Sequence, residues 1–422
     1  MVRRQDRVAG VNGPLQPVIL GADIGVYGLA RSFHEAYGVR SIVVSGAALG
    51  PVASSQLIDN SLVSDGHDPR QLVDRLVELG KEMSDRTLVL LANSDWLVRV
   101  VVQHRVELEA HYIVPFLSEE VLDRISDKAT FAQIAVDLGI SVPRTLVQDF
   151  SGADDPGWNA APVDIAYPLI AKAASSADYQ EVEFVGKKKV FEIADAAELE
   201  ALWVSLAGAG FRGRFVVQEL IPGDDTQMRS ITAYVDSRGV ATLLCSAHVL
   251  LEEHTPSGLG NPAAMITTRI DPMLDQARSF LAATGYRGFA NFDVKVDPRD
   301  GSFRFLEVNP RIGRNNYYVT AAGANPTRFL VEDRVDGLAV EPVVVDREIL
   351  YSILPHRLLL RYILDPALAA KVRGLIRAHA VAHPLQYRND ALPRRRAYVT
   401  AALLNQVRKF RRYYPEVTST GF

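Results

Sequence analysis

The chain has 422 residues, 48% of them hydrophobic and 23% charged, enough for roughly two to three domains of ~150 residues with at least one full hydrophobic core. Its 46 lysines and arginines against 50 acidic residues leave a net charge of −4, which argues against a nucleic-acid or polyanion binder. The single cysteine, Cys245, excludes an intramolecular disulfide framework and a multi-cysteine metal site, and it lies in an apolar run that reads as buried packing. No apolar run approaches the ~20 residues that span a bilayer. The first sixteen residues lack the apolar stretch of a signal peptide, so a cytoplasmic protein is expected.

In chain order, a tail over 1–16 leads into the apolar run Pro17-Val-Ile-Leu-Gly-Ala-Asp23. A helical pattern follows over Ile24 to Tyr37, then the β-rich run Arg40 to Ser45. Strand, helix and strand in about 30 residues mark a parallel βαβ unit, and Thr87 to Ala92 adds another strand after a helix near 69–81. Residues 17–117 are therefore expected to form a doubly wound parallel-sheet domain. Gly21, Gly25 and Gly28 sit at the first strand-to-helix turn, but their spacing departs from G-x-G-x-x-G, so a tight turn is the expected use. Ser118 to Leu138 reads as helical. The segment 146–164, rich in Asp, Pro and Gly, reads as a loop or linker. β-rich regions follow over about 165–250, and again around a helix at 272–284, ending near 335.

The densest chemistry lies in Asn291 to Arg311. Two alternating runs flank Asp297-Pro-Arg-Asp-Gly301, a turn signal, so a β-hairpin is expected with Asp293 opposite Glu307 and Asn291 opposite Asn309. Glu307 and Asn309 are two apart and share a face. Two carboxylates and an amide oxygen, with no His or Cys, form a hard-oxygen set suited to Mg²⁺. The plain alternative is a solvated hairpin face. Arg311, just beyond, suits a phosphate or acyl phosphate and argues against that alternative.

Tyr167 to Lys172 reads as a strand ending in a lysine, followed by the small polar run Ala173 to Asp178. Such a lysine can lie over phosphates, or it can snorkel at a strand edge. Gly186-Lys-Lys-Lys-Val190 reads as the return of a lid-like hairpin. Phe215-Val-Val-Gln-Glu-Leu-Ile-Pro-Gly-Asp-Asp225 is a buried strand running into a turn, a hinge that could offer its backbone to an adenine edge and an acid to ribose hydroxyls.

In this order, Ser126-Asp-Lys128 with Gly139-Ile-Ser-Val-Pro143, Lys172, Val216 to Gly223, then Asp293, Glu307, Asn309 and Arg311 resemble the ATP-grasp superfamily over residues 15–335. The branch most resembled is the carboxylate–amine ligases similar to D-aspartate ligase. The resemblance implies an ATP-grasp domain over 118–335, with a lid subdomain over about 146–222. It places Lys128 and Lys172 on the ATP phosphates, Gln218, Glu219 and Ile221 at adenine, and Asp225 near the ribose. Asp293, Glu307 and Asn309 would hold Mg²⁺ (or Mn²⁺), and Arg311 would stabilise the transferring phosphoryl group. The loop after Lys172 lacks glycine, and Gln218 stands where many relatives carry Glu.

The activity this implies is ATP-dependent amide formation through an acyl phosphate, with release of ADP, on a small-molecule acid and amine. An amino acid and a cell-wall or peptide-like acceptor fit that description. Arg229, Arg314 and Asn315 are candidates for a substrate carboxylate. His254 reads either as part of an acceptor pocket or as a solvated loop residue. A small-molecule kinase and a non-catalytic nucleotide-binding regulator are the alternatives. No nucleic acid is expected, and a homodimer is. Residues 336–422 read as a mostly helical extension with 14 Lys and Arg against 7 Asp and Glu. An acidic body of −11 and an extension of +7 thus average to −4. The extension is expected either to pack on the body or to present a basic surface to an anionic precursor or membrane.

Overall fold

A computed structural model of the chain describes residues 13–174, 179, 182–188, 190–256 and 258–418. Among these the α/β expectation holds, with three sheets. The first contains β1 (Leu15–Leu20), β2 (Ser41–Ser45), β3 (Ile58–Leu62), β4 (Thr87–Ala92) and β5 (Tyr112–Ile113), all parallel in the order β3-β2-β1-β4-β5. β2 and β4 are buried along their whole length and β1 along nearly all of it, as a parallel sheet covered on both faces requires. Alternate residues of β1 feed two different cores: Ile19 enters one, while Val18 and Leu20 enter the other.

The second sheet is antiparallel, with β6 (Thr145–Asp149), β7 (Leu169–Ala173), β8 (Phe191–Ile193) and β9 (Arg214–Glu219) in the order β6-β9-β7-β8. Its core gathers Phe150, Trp203, Phe211 and Phe215 beneath the helix Ala196–Gly208. The segment expected to be a linker at 146–164 thus begins as strand, because Leu146 to Asp149 pair with Arg214 to Val217. The small polar run after Ala174, Ser175 to Asp178, lies outside the described residues, as does Lys189.

The third sheet runs β14-β13-β10-β11-β12-β16-β17, with β15 beside β11. Its strands are β10 (Met228–Val235), β11 (Ala241–Glu252), β12 (Pro262–Thr267), β13 (Gly288–Val296), β14 (Phe303–Asn309), β15 (Val343–Val344), β16 (Leu350–Ser352) and β17 (Val381–Ala382). The last three belong to the C-terminal extension, which the sequence suggested was mostly helical. Its helices are His356–Tyr362, Pro366–Arg377 and Pro393–Tyr413. The extension shares one hydrophobic core with the N-terminal sheet and β11–β12: Tyr27 and Phe33 lie in the same cluster as Leu250, Leu350, Leu359, Val372 and Phe410. Polar contacts reinforce this. Arg31 donates to the carbonyl oxygens of His383, Pro384 and Gln386 at 3.1, 2.7 and 2.9 Å, and Tyr27 donates to Asp390 at 2.9 Å. No described helix is long and apolar enough to cross a membrane.

Gly21, with φ +111°, makes the turn after β1. Gly25 and Gly28 answer a different need, close approach to the segment after β14. A Cβ on Gly25 would meet Asn93 Nδ2 at 2.3 Å and the Arg314 backbone at 2.8 Å, and one on Gly28 would meet Asn316 Oδ1 at 2.6 Å. The first helix is capped from within the chain, since the Asp23 side chain accepts from the N–H groups of Gly25 and Val26.

Candidate nucleotide and metal site

β13 and β14 form the expected hairpin. Asn291 pairs with Asn309 and Asp293 with Glu307, while a bulge after Asp293 leaves Leu306 unpaired. β10 extends the pattern, with Ser230 beside Asp293 and Thr232 beside Asn291. The strand period sorts these residues by chemistry. Ile231, Ala233, Phe292, Val294 and Phe305 pack into the core under the helix Asp271–Ala283. Ser230, Thr232, Asn291, Asp293, Lys295, Glu307 and Asn309 form the opposite, polar face.

On that face Asn309 Nδ2 donates to Asp293 Oδ2 at 3.1 Å, which turns the amide oxygen outward towards Arg311 Nη2, 3.4 Å away. Burial and the facing Glu307 push the Asp293 carboxyl up to about 7, with Arg311 and Asn309 opposing the rise. Glu252, at the end of β11, is raised well above the carboxylate range by burial and then by Asp225 and Asp293. Burial works against the Arg311 charge, but Asp95, Asp293, Glu307 and Asp23 outweigh it. Asp95 pairs with Arg311 Nε at 2.9 Å.

Carboxyls crowded together in this way are a setting that a divalent cation would relieve. No three His, Cys, Asp or Glu groups gather as a metal cluster among the described residues, so the candidate set stays at two carboxylates and one amide. That set fits Mg²⁺, which takes one or two protein carboxylates and completes its shell with substrate phosphates and water.

The second sheet supplies the facing wall. Lys172 on β7 pairs with Val216, two residues before Gln218 on β9, so Lys172 and Gln218 share the face away from the Phe150–Phe215 core. Gln218 Nε2 donates to Thr145 Oγ1 at 2.9 Å. Ile221 is buried. Lys128 opens the helix Lys128–Asp137, whose cap Asp127 also pairs with Arg214 on β9 at 2.7 Å. Glu219 is turned to Arg299 in the β13–β14 turn, at 2.5 Å, a tie between the two sheets.

Asp225 is buried, and its Oδ2 accepts from the Glu252 N–H and bonds His254 Nε2, both at 2.8 Å. Its Oδ1 takes no hydrogen bond from the described residues. His254 is therefore not a solvated loop residue: its side chain is buried, and its ring stacks on Tyr414 at 3.5 Å.

The substrate candidates divide. Arg229 donates to the carbonyls of Thr226 and Met228, both at 2.8 Å, and pairs with no carboxylate among the described residues; burial lowers its pKa to about 10. Arg314 is already held by Asp23 at 3.2 Å and Glu253 at 2.8 Å. Asn315 is buried against the Met265 sulfur at 3.3 Å. Residues remote in sequence hold both groups in this structure, Asp23 and Glu253 on Arg314 and Met265 on Asn315. Glu252, Lys295, Asp95 and Tyr414 were not singled out from the sequence. Lys295 carried a signal, since it stands two residues from Asp293 on the same strand face. Burial lowers its pKa against the pull of Glu252, Asp225, Asp224 and Glu192. Cys245 is buried packing as expected, its thiol pushed up by burial.

The family model described as carbamoyl-phosphate synthase L chain, ATP binding domain, matches residues 127–323. The chain is similar to D-aspartate ligase of Enterococcus faecium (strain Aus0004), 29% identical over 406 residues that cover 94% of this chain and 96% of that one. Among solved structures it resembles L-amino acid ligase from Bacillus licheniformis, with TM-score 0.53 and 15% identity over 78% of this chain and 75% of that one. It also resembles N5-carboxyaminoimidazole synthetase from Staphylococcus aureus complexed with ADP, with TM-score 0.56 and 14% identity over 82% and 83% of the two chains. At such identities the structures speak for the fold, while the family match spans every residue from Lys128 to Arg311 that the site reading uses. Residues 127–323 thus match an ATP-binding family model, the fold is that of ATP-dependent ligases such as L-amino acid ligase, and along nearly its whole length the chain is similar to D-aspartate ligase.

Proposed function

We propose that the chain joins a carboxylic acid to an amine at the expense of ATP, through an acyl phosphate, releasing ADP and phosphate. The observation that supports this most is the polar face of the hairpin, where Asp293, Glu307 and Asn309 stand together beside a protonated Arg311. In this reading Lys128 and Lys172 hold the ATP phosphates, and Gln218, Glu219 and Ile221 line the adenine. Asp225 meets the ribose through Oδ1. Asp293, Glu307 and Asn309 would hold Mg²⁺ or Mn²⁺, which when bound neutralises phosphate charge.

An oxygen of the acid attacks the γ-phosphorus, the bond to the β–γ bridging oxygen breaks, and ADP leaves. The amine nitrogen then attacks the acyl carbon, phosphate departs with the bonding pair of the acyl C–O bond, and the proton lost by the amine goes to the departing phosphate. Approach of one anion to another is the main barrier, so positioning and charge stabilisation by Lys172 and Arg311 carry the catalysis and no protein nucleophile is needed. Arg229, whose charge no carboxylate among the described residues answers, is the better candidate for a substrate carboxylate. Likeness to D-aspartate ligase along nearly the whole chain supports an amino acid as the acid, and the acceptor proposed with it is a cell-wall or peptide-like amine.

The test is ADP and phosphate release across a panel of amino acids and amine acceptors. Release is expected only when acid and amine are both present, and Glu307→Gln is expected to lower it by about 100-fold or more while the fold is retained. Full turnover in Glu307→Gln would remove the metal assignment. ADP formation with a single co-substrate and no amide would favour a kinase.

A further inference from the structure

The C-terminal helix Pro393–Tyr413 ends beside the loop that holds Asp225, although nearly 190 residues separate them in the chain. Tyr414 follows the last helical residue and is 4% exposed. Its ring lies flat on His254, with centroids 3.5 Å apart and planes 1° from parallel. The ring of Phe410 meets His254 from a second direction at 6.2 Å. Tyr414 is itself fixed: its carbonyl accepts from the Tyr362 hydroxyl at 2.6 Å, the Tyr362 ring stacks on it at 5.7 Å, and its hydroxyl accepts from the Thr418 N–H at 3.0 Å. One turn earlier Lys409 reaches Glu253 at 3.5 Å, and Glu253 in turn holds Arg314.

His254 can move neither away from Tyr414 nor past Phe410, so its Nε2 stays on Asp225 Oδ2 at 2.8 Å. The Glu252 N–H holds the same oxygen. With Oδ2 doubly bound, the plane of the carboxyl group is set, and Oδ1 is left to a ligand in one direction. We infer that Tyr414 is a positioning residue of the nucleotide site: acting through His254, it orients Asp225 towards the ribose hydroxyls. This rests on the nucleotide-binding reading above and adds to it a role for the C-terminal extension. A carboxylate that accepts from a ribose hydroxyl makes a charge-assisted hydrogen bond, and such bonds discriminate strongly when the site is dry and the acceptor is preset.

The inference separates from mere support of the fold by which ligand is affected. Binding of ATP and of 2′,3′-dideoxy-ATP, each with Mg²⁺, is measured by calorimetry on the full chain. The wild-type protein is expected to bind ATP about ten-fold or more tightly than the dideoxy analogue. Tyr414→Leu keeps apolar bulk over His254 but removes the flat ring. It is expected to reduce that preference to about two-fold, by weakening ATP and leaving the analogue nearly unchanged, while Tyr414→Phe restores it. Equal weakening of both ligands would make Tyr414 a structural residue and overturn the inference, as would an unchanged preference in Tyr414→Leu. Wild-type protein that binds neither ligand would overturn the nucleotide reading itself. Should Tyr414→Leu fail to fold, His254→Phe carries the same comparison, because it preserves the stack and removes the bond to Asp225.

Discussion

His383 lies where every charged neighbour is hostile to its protonation. Burial lowers its pKa to about 4, and Arg31, His356 and Arg395 add to the fall. An unfolded histidine takes its proton near 6.5, so below that pH the unfolded chain binds more protons than the folded one and stability is lost as pH falls. Nothing is lost at about pH 7.5, where both states are neutral, and about 2 kcal/mol is lost by about pH 5. His383→Gln removes the titration and keeps an acceptor for the Leu385 N–H, which His383 Nδ1 receives at 3.2 Å. The variant is therefore expected to gain about 2 kcal/mol relative to wild type between those two pH values, seen in urea unfolding of both proteins. A constant difference would show that His383 titrates normally. At this scale the sequence spoke clearly where partners are near. The turn at Asp297 to Gly301 and the strand alternation together dictate that Asp293 faces Glu307. It singled out Arg314 and His254 but not their partners, Asp23 and Tyr414, which come from the two ends of the chain.

Among the elements, the first helix shows why a glycine pattern at a strand-to-helix turn need not hold phosphate. Asp23 already occupies the helix N-terminus, and Gly25 and Gly28 let that helix lie directly on the chain leaving β14. The β13–β14 hairpin and the N-terminal domain are thereby held in one register. Gly25→Ala puts a methyl group where Asn93 and the Arg314 backbone already stand, and backbone cannot yield as a flexible side chain would. A loss of about 2 kcal/mol is expected. Gly374→Ala, in the middle of the helix Pro366–Arg377 with nothing within 4 Å, is expected to gain about 0.5–1 kcal/mol. Thermal unfolding of the two variants in parallel checks both signs, and a neutral Gly25→Ala would deny the close approach. Most long elements were legible because their apolar period runs for several turns or strand pairs. β15, β16 and β17 were not, since two or three residues are too few to show a period, and each exists only because a neighbouring strand offers it an edge.

For the whole molecule, charge and topology give opposite impressions of the C-terminal extension. Its excess of +7 raised the prospect of a basic surface for an anionic partner, beside the expectation that it packs on the body. Its apolar residues instead complete a core that begins in the first helix: Tyr27, Phe33 and Val52 of the N-terminal domain lie in one cluster with Leu350, Tyr351, Leu359, Tyr362, Val372 and Phe410. β16 pairs with β12 through Ala264, Met265 and Ile266, so the extension also closes an edge of the large sheet. Each such side chain contributes about 1.5–3 kcal/mol when buried, so the six from the extension alone approach about 10 kcal/mol or more, comparable to the whole stability of a folded chain. A fragment ending at residue 335 would expose that surface and leave Arg31 and Tyr27 without the carbonyls and carboxylate that answer them. It is expected to lose its cooperative urea transition, to bind a hydrophobic dye, and to release no ADP under conditions where the full chain does. A fragment with a sharp transition and full turnover would show that the extension is a separable module after all. Partial turnover with a sharp transition and weakened ATP binding would place its contribution in the contact between Tyr414 and His254 rather than in the shared core.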